Sequence, residues 1–454
     1  MTDMQDSGSD GSDGGLGGLV VRAVRKSGAG SPNGPPSPRL APGGFYWLMV
    51  VVAAVPVAAA EPGWTQWRGP GRDGFVAAAD WPDGLSPERL EKRWRVELGP
   101  SYSGPVLAGL GDGRTAVIVT ETRDKETEHV RAIDAATGKE LWQAEWDGAM
   151  SVPFFAASNG SWIRATPCVD SGRVFVAGMR DLLVCLDAAT GKENWRVDFM
   201  KALESPLPSF GFVSSPLVIG EHVYVQAGGG FVKLDKASGE IIWRVLDDGG
   251  GMSGSAFSSP YLTTIGDVPQ ILVQTRNDLA GVDPEQGTVL WKTPIKAFRG
   301  MNIVTPTVHD GKVFTTSYGG GSFLYAVDPA GAEKPVEQLW RNKVQGYMSS
   351  PIVIGDHAYV HLRNQRFACL DLASGEETWI TKPFGKYWSL VANGEMILAL
   401  DETGELRLIR ATPASFELVG EATVAEEESW AHLAVEGSDI YVRDLEGLTA
   451  YRWE

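Results

Sequence analysis

The chain has 454 residues, of which 43% are hydrophobic and 21% charged, the balance of a folded globular protein. Its formal net charge of −17 lies entirely on residues 61–454, because residues 1–60 carry four acidic and four basic side chains. An acidic body without a basic patch repels phosphate backbones, which excludes nucleic acid as an expected partner. The 55 glycines and 16 tryptophans indicate β-structure with many tight turns.

The first 60 residues are predicted to lie outside the fold. Residues 1–44 are rich in Gly, Ser, Pro and Asp without an apolar period, which predicts a disordered N-terminal extension. Residues 45–60 form an apolar run that is shorter than the roughly 20 residues of a membrane-spanning helix. Basic residues precede the run and three alanines end it. We therefore expect a signal peptide cut near Ala60 and export to the periplasm or cell envelope.

The alternative interpretation of residues 45–60 is an uncleaved membrane anchor, which would be the chain's only membrane contact. No cysteine follows the run, so lipid attachment at that point is not expected. A lead-in segment, residues 61–89, comes next and contains the stretch WTQWRGPGRDG. The predicted folded domain then begins with LEKRWRVELG, residues 90–99, which is typical of a single strand.

An eleven-residue motif recurs along the rest of the chain. AIDAATGKELW (132–142) returns as CLDAATGKENW (185–195), and further copies occupy residues 233–243, 281–291 and 369–379. Residues 326–340 are a stretched copy. Residues 408–418 are a worn copy in which Leu418 stands in place of the tryptophan. Self-similarity at a period of about 40 to 50 residues is typical of propellers and solenoids.

Each copy has a physical interpretation as a strand, a turn and a returning strand. The Asp accepts hydrogen bonds from turn amides, the Gly takes a positive φ, and the Trp packs against the neighbouring unit. The residues to which we assign this structural role are Asp134, Gly138, Trp142, Asp187, Gly191, Trp195, Asp235, Gly239, Trp243, Asp283, Gly287, Trp291, Asp371, Gly375 and Trp379.

A second hairpin precedes each copy, as in SSPLVIGEHVYV from Ser214, and eight such hairpins are found. Two hairpins make a four-stranded antiparallel blade. The last unit lacks its outer strand, which the strand around Trp94 can supply. The sequence therefore predicts an all-β fold, an eight-bladed β-propeller over residues 90–454 closed by its N-terminal strand. Seven blades is the alternative if the worn copy forms no blade.

The motif resembles the tryptophan-docking repeat of pyrroloquinoline-quinone (PQQ) dehydrogenase propellers. The same repeat occurs in non-catalytic relatives, including the BamB-type outer-membrane assembly factors. The stretch WTQWRGPGRDG is similar to the start of PQQ-like repeat proteins of planctomycete-type bacteria. The resemblance covers residues 62–454 and implies a PQQ-like propeller. It implies little about activity, because such motifs hold blades together and do no chemistry.

For a dehydrogenase, the resemblance implies PQQ beside a ring of two adjacent disulfide-bonded cysteines, calcium held by Glu and Asn, and an Asp base. This chain has only Cys168, Cys185 and Cys369, none of them adjacent, and we expect buried free thiols. We therefore assign no catalytic residue and expect no cofactor. The resulting hypothesis is an exported, non-catalytic scaffold that binds envelope or periplasmic proteins in the manner of BamB-type factors. The alternatives are a PQQ- and calcium-dependent alcohol or sugar dehydrogenase, and another enzyme that uses the axial funnel.

Alignment of the eight first hairpins places one residue of each blade at the mouth of this funnel. The column reads Tyr102, Arg164, Val213, Phe257, Ile303, Met348, Tyr387 and Trp430. An alternative is that the column, above all its aliphatic members, only fills the axis as core. No metal ligands are predicted. The residues predicted to form a binding site are Tyr102, Arg164, Phe257, Asn302, Tyr347, Tyr387, Trp388, Trp430 and His432.

Overall fold

A computed structural model of the protein describes residues 63–76, 81–252, 254, 256–330 and 334–454. These residues belong to one compact unit, Val57–Glu454. The predicted N-terminal extension and the apolar run at residues 45–60 lie outside the described residues. Across the described ranges, no helix has both the length and the apolar character needed to cross a membrane.

The described residues form eight four-stranded antiparallel sheets arranged as the blades of a propeller. The strands are β1 (Leu90–Glu97), β2 (Val106–Gly109), β3 (Thr115–Arg123), β4 (Thr127–Asp134), β5 (Glu140–Asp147), β6 (Cys168–Asp170), β7 (Arg173–Gly178), β8 (Leu182–Asp187), β9 (Glu193–Asp198), β10 (Leu217–Ile219), β11 (His222–Ala227), β12 (Gly230–Asp235), β13 (Ile241–Val245), β14 (Tyr261–Ile265), β15 (Val268–Gln274), β16 (Asp278–Val282), β17 (Val289–Pro294), β18 (Thr307–His309), β19 (Lys312–Ser317), β20 (Gly321–Val327), β21 (Val336–Arg341), β22 (Ile352–Ile354), β23 (His357–His361), β24 (Phe367–Asp371), β25 (Glu377–Ile380), β26 (Trp388–Asn393), β27 (Met396–Asp401), β28 (Glu405–Arg410), β29 (Glu417–Thr423), β30 (Ala434–Glu436), β31 (Asp439–Arg443) and β32 (Gly447–Trp453).

Blades 1 to 7 take four consecutive strands each, from β2–β5 for blade 1 to β26–β29 for blade 7. Blade 8 contains β30, β31 and β32 and receives β1 as its outer strand. A four-residue helix α1 (Phe199–Ala202) and short 3₁₀ turns, Pro87–Arg89, Phe154–Asn159 and Phe298–Gly300, lie in the connections.

The prediction of eight blades closed by the N-terminal strand is confirmed. Strand β1 pairs antiparallel with β32, from Leu90 opposite Trp453 to Glu97 opposite Gly447. The seven-blade alternative is wrong, because the worn copy supplies the end of β28 and the start of β29 in a complete blade. Closure gives a partner to a sheet edge that would otherwise be free.

The repeat motif forms the turn before each outer strand and a contact to the preceding blade. In blade 2, the Asp187 carboxylate accepts hydrogen bonds from the Thr190 amide at 2.9 Å and hydroxyl at 2.6 Å. Gly191 has φ 70°, and a Cβ there would lie 2.4 Å from the ring of Trp142 in blade 1. The Trp142 indole N–H donates to the Ala188 carbonyl at 2.9 Å. The same stacking joins Trp94 to Gly138, Trp195 to Gly239, Trp243 to Gly287 and Trp340 to Gly375.

The two irregular copies of the motif depart from this contact. Before the stretched turn of blade 5, Trp291 donates instead to Gln270 of its own blade at 2.6 Å. In blade 7, where Leu418 replaces the tryptophan, the lead-in packs on the outer strand. A Cβ at Gly420 would lie 2.1 Å from the Leu85 carbonyl. Residues of the lead-in therefore cover the blade that lacks its docking side chain.

Serine and threonine hydroxyls join the inner ends of the blades. The amide of Thr166 donates to the Ser215 hydroxyl, and that of Ser215 to the Ser259 hydroxyl, each at 3.0 Å. Thr305 donates in the same way to Ser350 at 2.9 Å. Each hydroxyl belongs to the blade after its donor, in the S/T-Pro step that begins the inner strand. These bonds link neighbouring blades around the axis.

The lead-in stretch WTQWRGPGRDG lies in the centre of the ring. The Trp64 and Thr65 carbonyls accept from Leu107 of blade 1 and Val169 of blade 2, at 2.8 and 2.7 Å. The segment then pairs with β26 of blade 7, where the Ala392 amide donates to Gly74 at 2.8 Å. We call residues 63–76 the axial segment. Its bonds to blades on several sides of the ring show that it fills the axis.

Two buried arginines fasten the axial segment. Arg68 donates to the Pro351 carbonyl of blade 6 at 2.6 Å. Arg72 donates to the Pro216 and Ser215 carbonyls of blade 3 at 2.7 and 3.1 Å. Burial lowers the pKa of both guanidinium groups to about 10. Both remain charged at neutral pH, and carbonyl dipoles replace their lost hydration.

Replacing Arg72 by alanine is expected to lower the free energy of unfolding by about 2–4 kcal/mol, since it leaves two buried carbonyls without donors. Urea denaturation followed by tryptophan fluorescence measures this difference. Arg114→Ala, at an exposed pair with Asp112, is the matched control and should change the value by less than about 0.5 kcal/mol. Equal effects of the two substitutions would contradict the fastening role.

Candidate functional site

A cavity of about 960 Å³ opens on the face where the connections between blades enter the inner strands. Every residue of the column predicted from the sequence lies on its wall. The column lies just before each inner strand, so the eight-fold repeat places one of its side chains from every blade around the mouth. The wall holds Tyr102, Arg164, Val213, Phe257, Ile303, Met348, Tyr387 and Trp430.

The axial segment closes the inner end of the cavity. Trp67 lies on the wall with Ser215, Ser259 and His432, and its indole N–H donates to Thr305 at 3.2 Å. The His432 ring lies 5.0 Å from the Trp67 ring. Burial, assisted by the nearby Arg68 charge, lowers the pKa of His432 to about 3. The inner end of the cavity therefore carries a neutral imidazole at physiological pH.

One side of the cavity is a continuous series of aromatic rings. Tyr102 stacks on Trp430 with centroids 4.6 Å apart and an interplanar angle of 15°. Tyr387 meets the same indole edge-on at 4.1 Å, and Tyr347 lies 6.1 Å from Tyr387. Glu428 accepts the Trp430 indole N–H at 2.7 Å, which fixes that ring. Such a surface is pre-formed for flat or apolar groups.

The opposite side joins phenylalanines to a cation. Phe210 and Phe257 lie 5.5 Å apart, and the Arg276 guanidinium lies 5.0 Å from the Phe257 ring centre. Burial lowers the pKa of Arg276, and the charge of Asp248 partly opposes this shift. Arginine at this distance from an aromatic face gains a cation–π attraction.

Exposed apolar side chains lie at the mouth of the cavity, in the connections that follow blades 1, 3 and 4. Phe154 is 91% exposed, Phe155 52%, Met252 50% and Phe298 45%. The first two lie in the 3₁₀ turn between blades 1 and 2, and Phe155 lies 6.3 Å from Phe210 of the wall. We call these four residues the apolar rim. It continues the aromatic wall outward onto the surface.

Eight of the nine residues predicted to bind lie on the cavity wall, and Asn302 does not. The Asn302 side chain is buried and donates to the Thr275 and Arg276 carbonyls at 3.2 and 3.0 Å. It holds the turn that carries Arg276. Sequence reasoning did not find Arg276 or Trp67. Arg276 follows β15 at a hairpin tip, and Trp67 reaches the wall from the axial segment, so alignment of the inner strands passes over both.

The PQQ and calcium set implied by the dehydrogenase resemblance does not fit these residues. Among the described residues, the cavity wall contains neither Asp nor Glu to hold calcium. The three cysteines are free and buried, as expected. On the outer surface, His309, Asp310 and Asp356 bring donor atoms within 4.8 Å of one another, but their carboxylates are exposed. A hydrogen bond of 2.9 Å joins His309 Nε2 and Asp356 Oδ1 between blades 5 and 6.

Comparison with known proteins gives a family match and a set of structural likenesses. The family profile described as outer membrane protein assembly factor BamB matches residues 126–381, more than half of the chain. The BamB protein of Yersinia pestis is 25% identical over 259 residues, which are 55% of this chain and 61% of that protein. The chain therefore spans less than two thirds of that relative's length.

Two solved structures share the fold. The BamB structure of Moraxella catarrhalis has a TM-score of 0.57 at 16% identity, covering 80% of this chain and 98% of that one. A quinohemoprotein alcohol dehydrogenase from Comamonas testosteroni has a TM-score of 0.59 at 15% identity, covering 86% and 80%. At such identities the likenesses show only a common propeller fold. One of the two proteins is named as an assembly factor and the other as an enzyme.

The buried histidines near the cavity predict how stability depends on pH. His361 stacks on Trp388 at 4.9 Å, and burial lowers its pKa to about 4 from the ordinary 6.5. Because the unfolded chain takes up the proton first, stability is fully present above pH 6.5 and falls as the pH drops toward 4. His361→Gln should reduce the loss between pH 7.5 and 4.5 by on the order of 2 kcal/mol.

Urea denaturation of both proteins at the two pH values checks this prediction. Other titrating groups, such as buried Glu128, are common to both proteins and cancel in the difference. Parallel losses in wild type and variant would show that His361 does not remain neutral in the folded state.

Proposed function

The chain belongs to the outer membrane protein assembly factor BamB family, and from this we propose that it is a non-catalytic assembly scaffold of the cell envelope. Its partners are polypeptide chains of outer-membrane proteins, which it binds on the face that carries the cavity. The proposal includes no cofactor. The observation that carries it is the apolar rim, which lies around an aromatic cavity on an otherwise acidic protein.

The rim differs from the other exposed apolar side chains in being grouped. Ile242, Val289, Leu339, Ile380 and Leu418 are also exposed, but each stands on the outer strand of a different blade. Single exposed apolar residues are ordinary, whereas a group around a concavity is typical of an interaction site. Rings that continue from Phe155 to Phe210 join the rim to the wall without a break. An extended chain with alternating apolar residues would bury them.

The location in the proposal follows from the sequence and the family. A signal peptide cut near Ala60 would release the mature chain into the periplasm, and the relatives are named for assembly of outer-membrane proteins. Mass measurement of protein recovered from cells tests the cut. A mature chain that begins near Glu61 supports export, and an intact residue 45–60 segment supports the anchor instead.

Substituting the rim is expected to weaken peptide binding. The probe is a fluorescent ten-residue peptide amide that copies an outer-membrane β-strand, with alternating aromatic residues. Phe154→Ser combined with Phe155→Ser should raise its dissociation constant at least about tenfold, since two phenyl groups lose burial worth about 1.5–3 kcal/mol each at most. Fluorescence anisotropy measures the constant. Both side chains are exposed, so the fold should be unaffected.

The matched control is Ile242→Ser with Leu339→Ser, which removes two exposed apolar groups from outer strands. This control should bind the peptide as the wild type does. If the rim variant and the outer-strand variant lose affinity equally, the rim is not the docking site. If the wild type itself does not bind the peptide, the proposed function is wrong.

A further inference from the structure

The charged groups on the cavity wall are all of one sign. Among the described residues, the wall contains Arg164, Arg276 and Arg299 and no acidic side chain, although the whole chain carries a net charge of −17. Arg276 is buried, Arg164 is half-buried and Arg299 is exposed, and an excess of cations on the wall is the reverse of what the acidic composition alone would produce. Positive potential concentrated inside a concave apolar site favours an anionic occupant.

Arg276 carries this argument furthest because one of its nitrogens has no partner. The residue is 7% exposed, and Nη1 is buried without a hydrogen bond from the described residues. Nη2 donates to the Arg299 carbonyl, and the guanidinium lies against Phe257 and Phe210. Asp248 influences it electrostatically but makes no ion pair within 4.0 Å. A buried donor left unpaired is costly, and an acceptor in the cavity would satisfy it.

Two further polar groups lie on the same wall. In the described part of the chain, the Arg164 guanidinium donates to the backbone carbonyls of Trp162 and Gly160, each at 3.1 Å, and has no carboxylate partner. The buried indole N–H of Trp388 has no partner in the described part of the chain. Both residues lie on the cavity wall. The wall therefore offers two cations that lack carboxylate partners, and an unsatisfied neutral donor.

The other walls of the cavity determine what the uncharged part of the anionic ligand must be. Tyr102 and Trp430 present a stacked aromatic side, and Phe210 with Phe257 presents the other. The axial segment closes the inner end at Trp67. An occupant must therefore enter through the rim and end inside. A singly charged group suits these walls better than a phosphate dianion, since burying each charge away from water has a high cost.

We propose that the cavity is a binding site for an organic monocarboxylate with an aromatic body, anchored by Arg276. The chemistry is shared by a free aromatic acid and by the C-terminal carboxylate of a chain that ends in an aromatic residue. The inference goes beyond the assembly role, because it rests on the inner wall and not on the rim.

The test uses calorimetric titration of the full chain with 2-naphthoate and with its neutral isostere 2-naphthamide. Naphthoate should bind one-to-one and at least tenfold more tightly than the amide. Arg276→Met should remove at least tenfold of the naphthoate affinity, because Arg–carboxylate bonds are charge-assisted and bidentate. Arg276→Lys should recover part of it. Arg114→Met, on an exposed turn, is the control and should bind as the wild type does.

A second pair of probes distinguishes the two sources. These are a hexapeptide ending in phenylalanine with a free C-terminal carboxylate, and the same peptide amidated. Tighter binding of the free acid peptide than of naphthoate assigns the site to a chain terminus, and the reverse assigns it to a small molecule. Equal affinity of acid and amide in both pairs overturns the proposal, as does unchanged naphthoate binding in a folded Arg276→Met protein.

The fold of each variant is checked by thermal unfolding, and Arg276→Lys keeps the test valid if Arg276→Met is unstable. In that case the Lys variant should bind naphthoate more weakly than the wild type but still more tightly than it binds naphthamide, and wild-type affinity for naphthoate overturns the proposal. Failure of this proposal is separable from failure of the assembly role. The strand peptide amide of the rim experiment carries no carboxylate terminus, so its affinity should not change in the Arg276 variants.

Discussion

A ring of blades leaves a hole at its centre, and the filling of that hole is the constraint on which the rest of this structure depends. The axial segment fills it with backbone hydrogen bonds, Trp64 and two buried guanidinium groups. Arg68 and Arg72 donate to carbonyls of blades 6 and 3, which are three blades apart in the ring. The same segment closes the inner end of the cavity through Trp67. The axis is therefore both the centre of stability and the wall of the candidate site.

The fold was predictable from the sequence because a repeated motif reports a repeated contact. Asp187, Gly191 and the Trp of the preceding blade recur at nearly constant spacing, and each turn has the hydrogen bonds and positive φ that the residue types require. The column at the start of each inner strand was predictable for the same reason. One residue per blade in equivalent positions must face the same axis, whatever its chemistry.

The parts that could not be predicted are those that occur once. Arg68 and Arg72 look like ordinary surface cations in a Gly-rich stretch, and nothing local shows that their acceptors lie more than a hundred residues away. Asn302 was predicted to bind a ligand. Its side-chain amide instead donates to the Arg276 carbonyl and supports the turn that carries Arg276. The packing of the Leu85 backbone against Gly420, on the outer strand that lacks the tryptophan, is a further single contact of this kind. Long-range pairings of single residues leave no periodic trace.

The pairing of β1 with β32 also sets the order of events when the chain is made. The two strands are at least 350 residues apart, so the first strand leaves the ribosome long before its partner exists. Ring closure is the most non-local strand pairing in the described fold, and such pairings form slowly because the chain entropy must be lost first. Until then the outer edge of blade 8 and the surface beneath Trp94 stay uncovered. Completion of blade 8 therefore depends on how soon β32 becomes available after β1, and any delay in the synthesis of β32 prolongs the exposure of these surfaces.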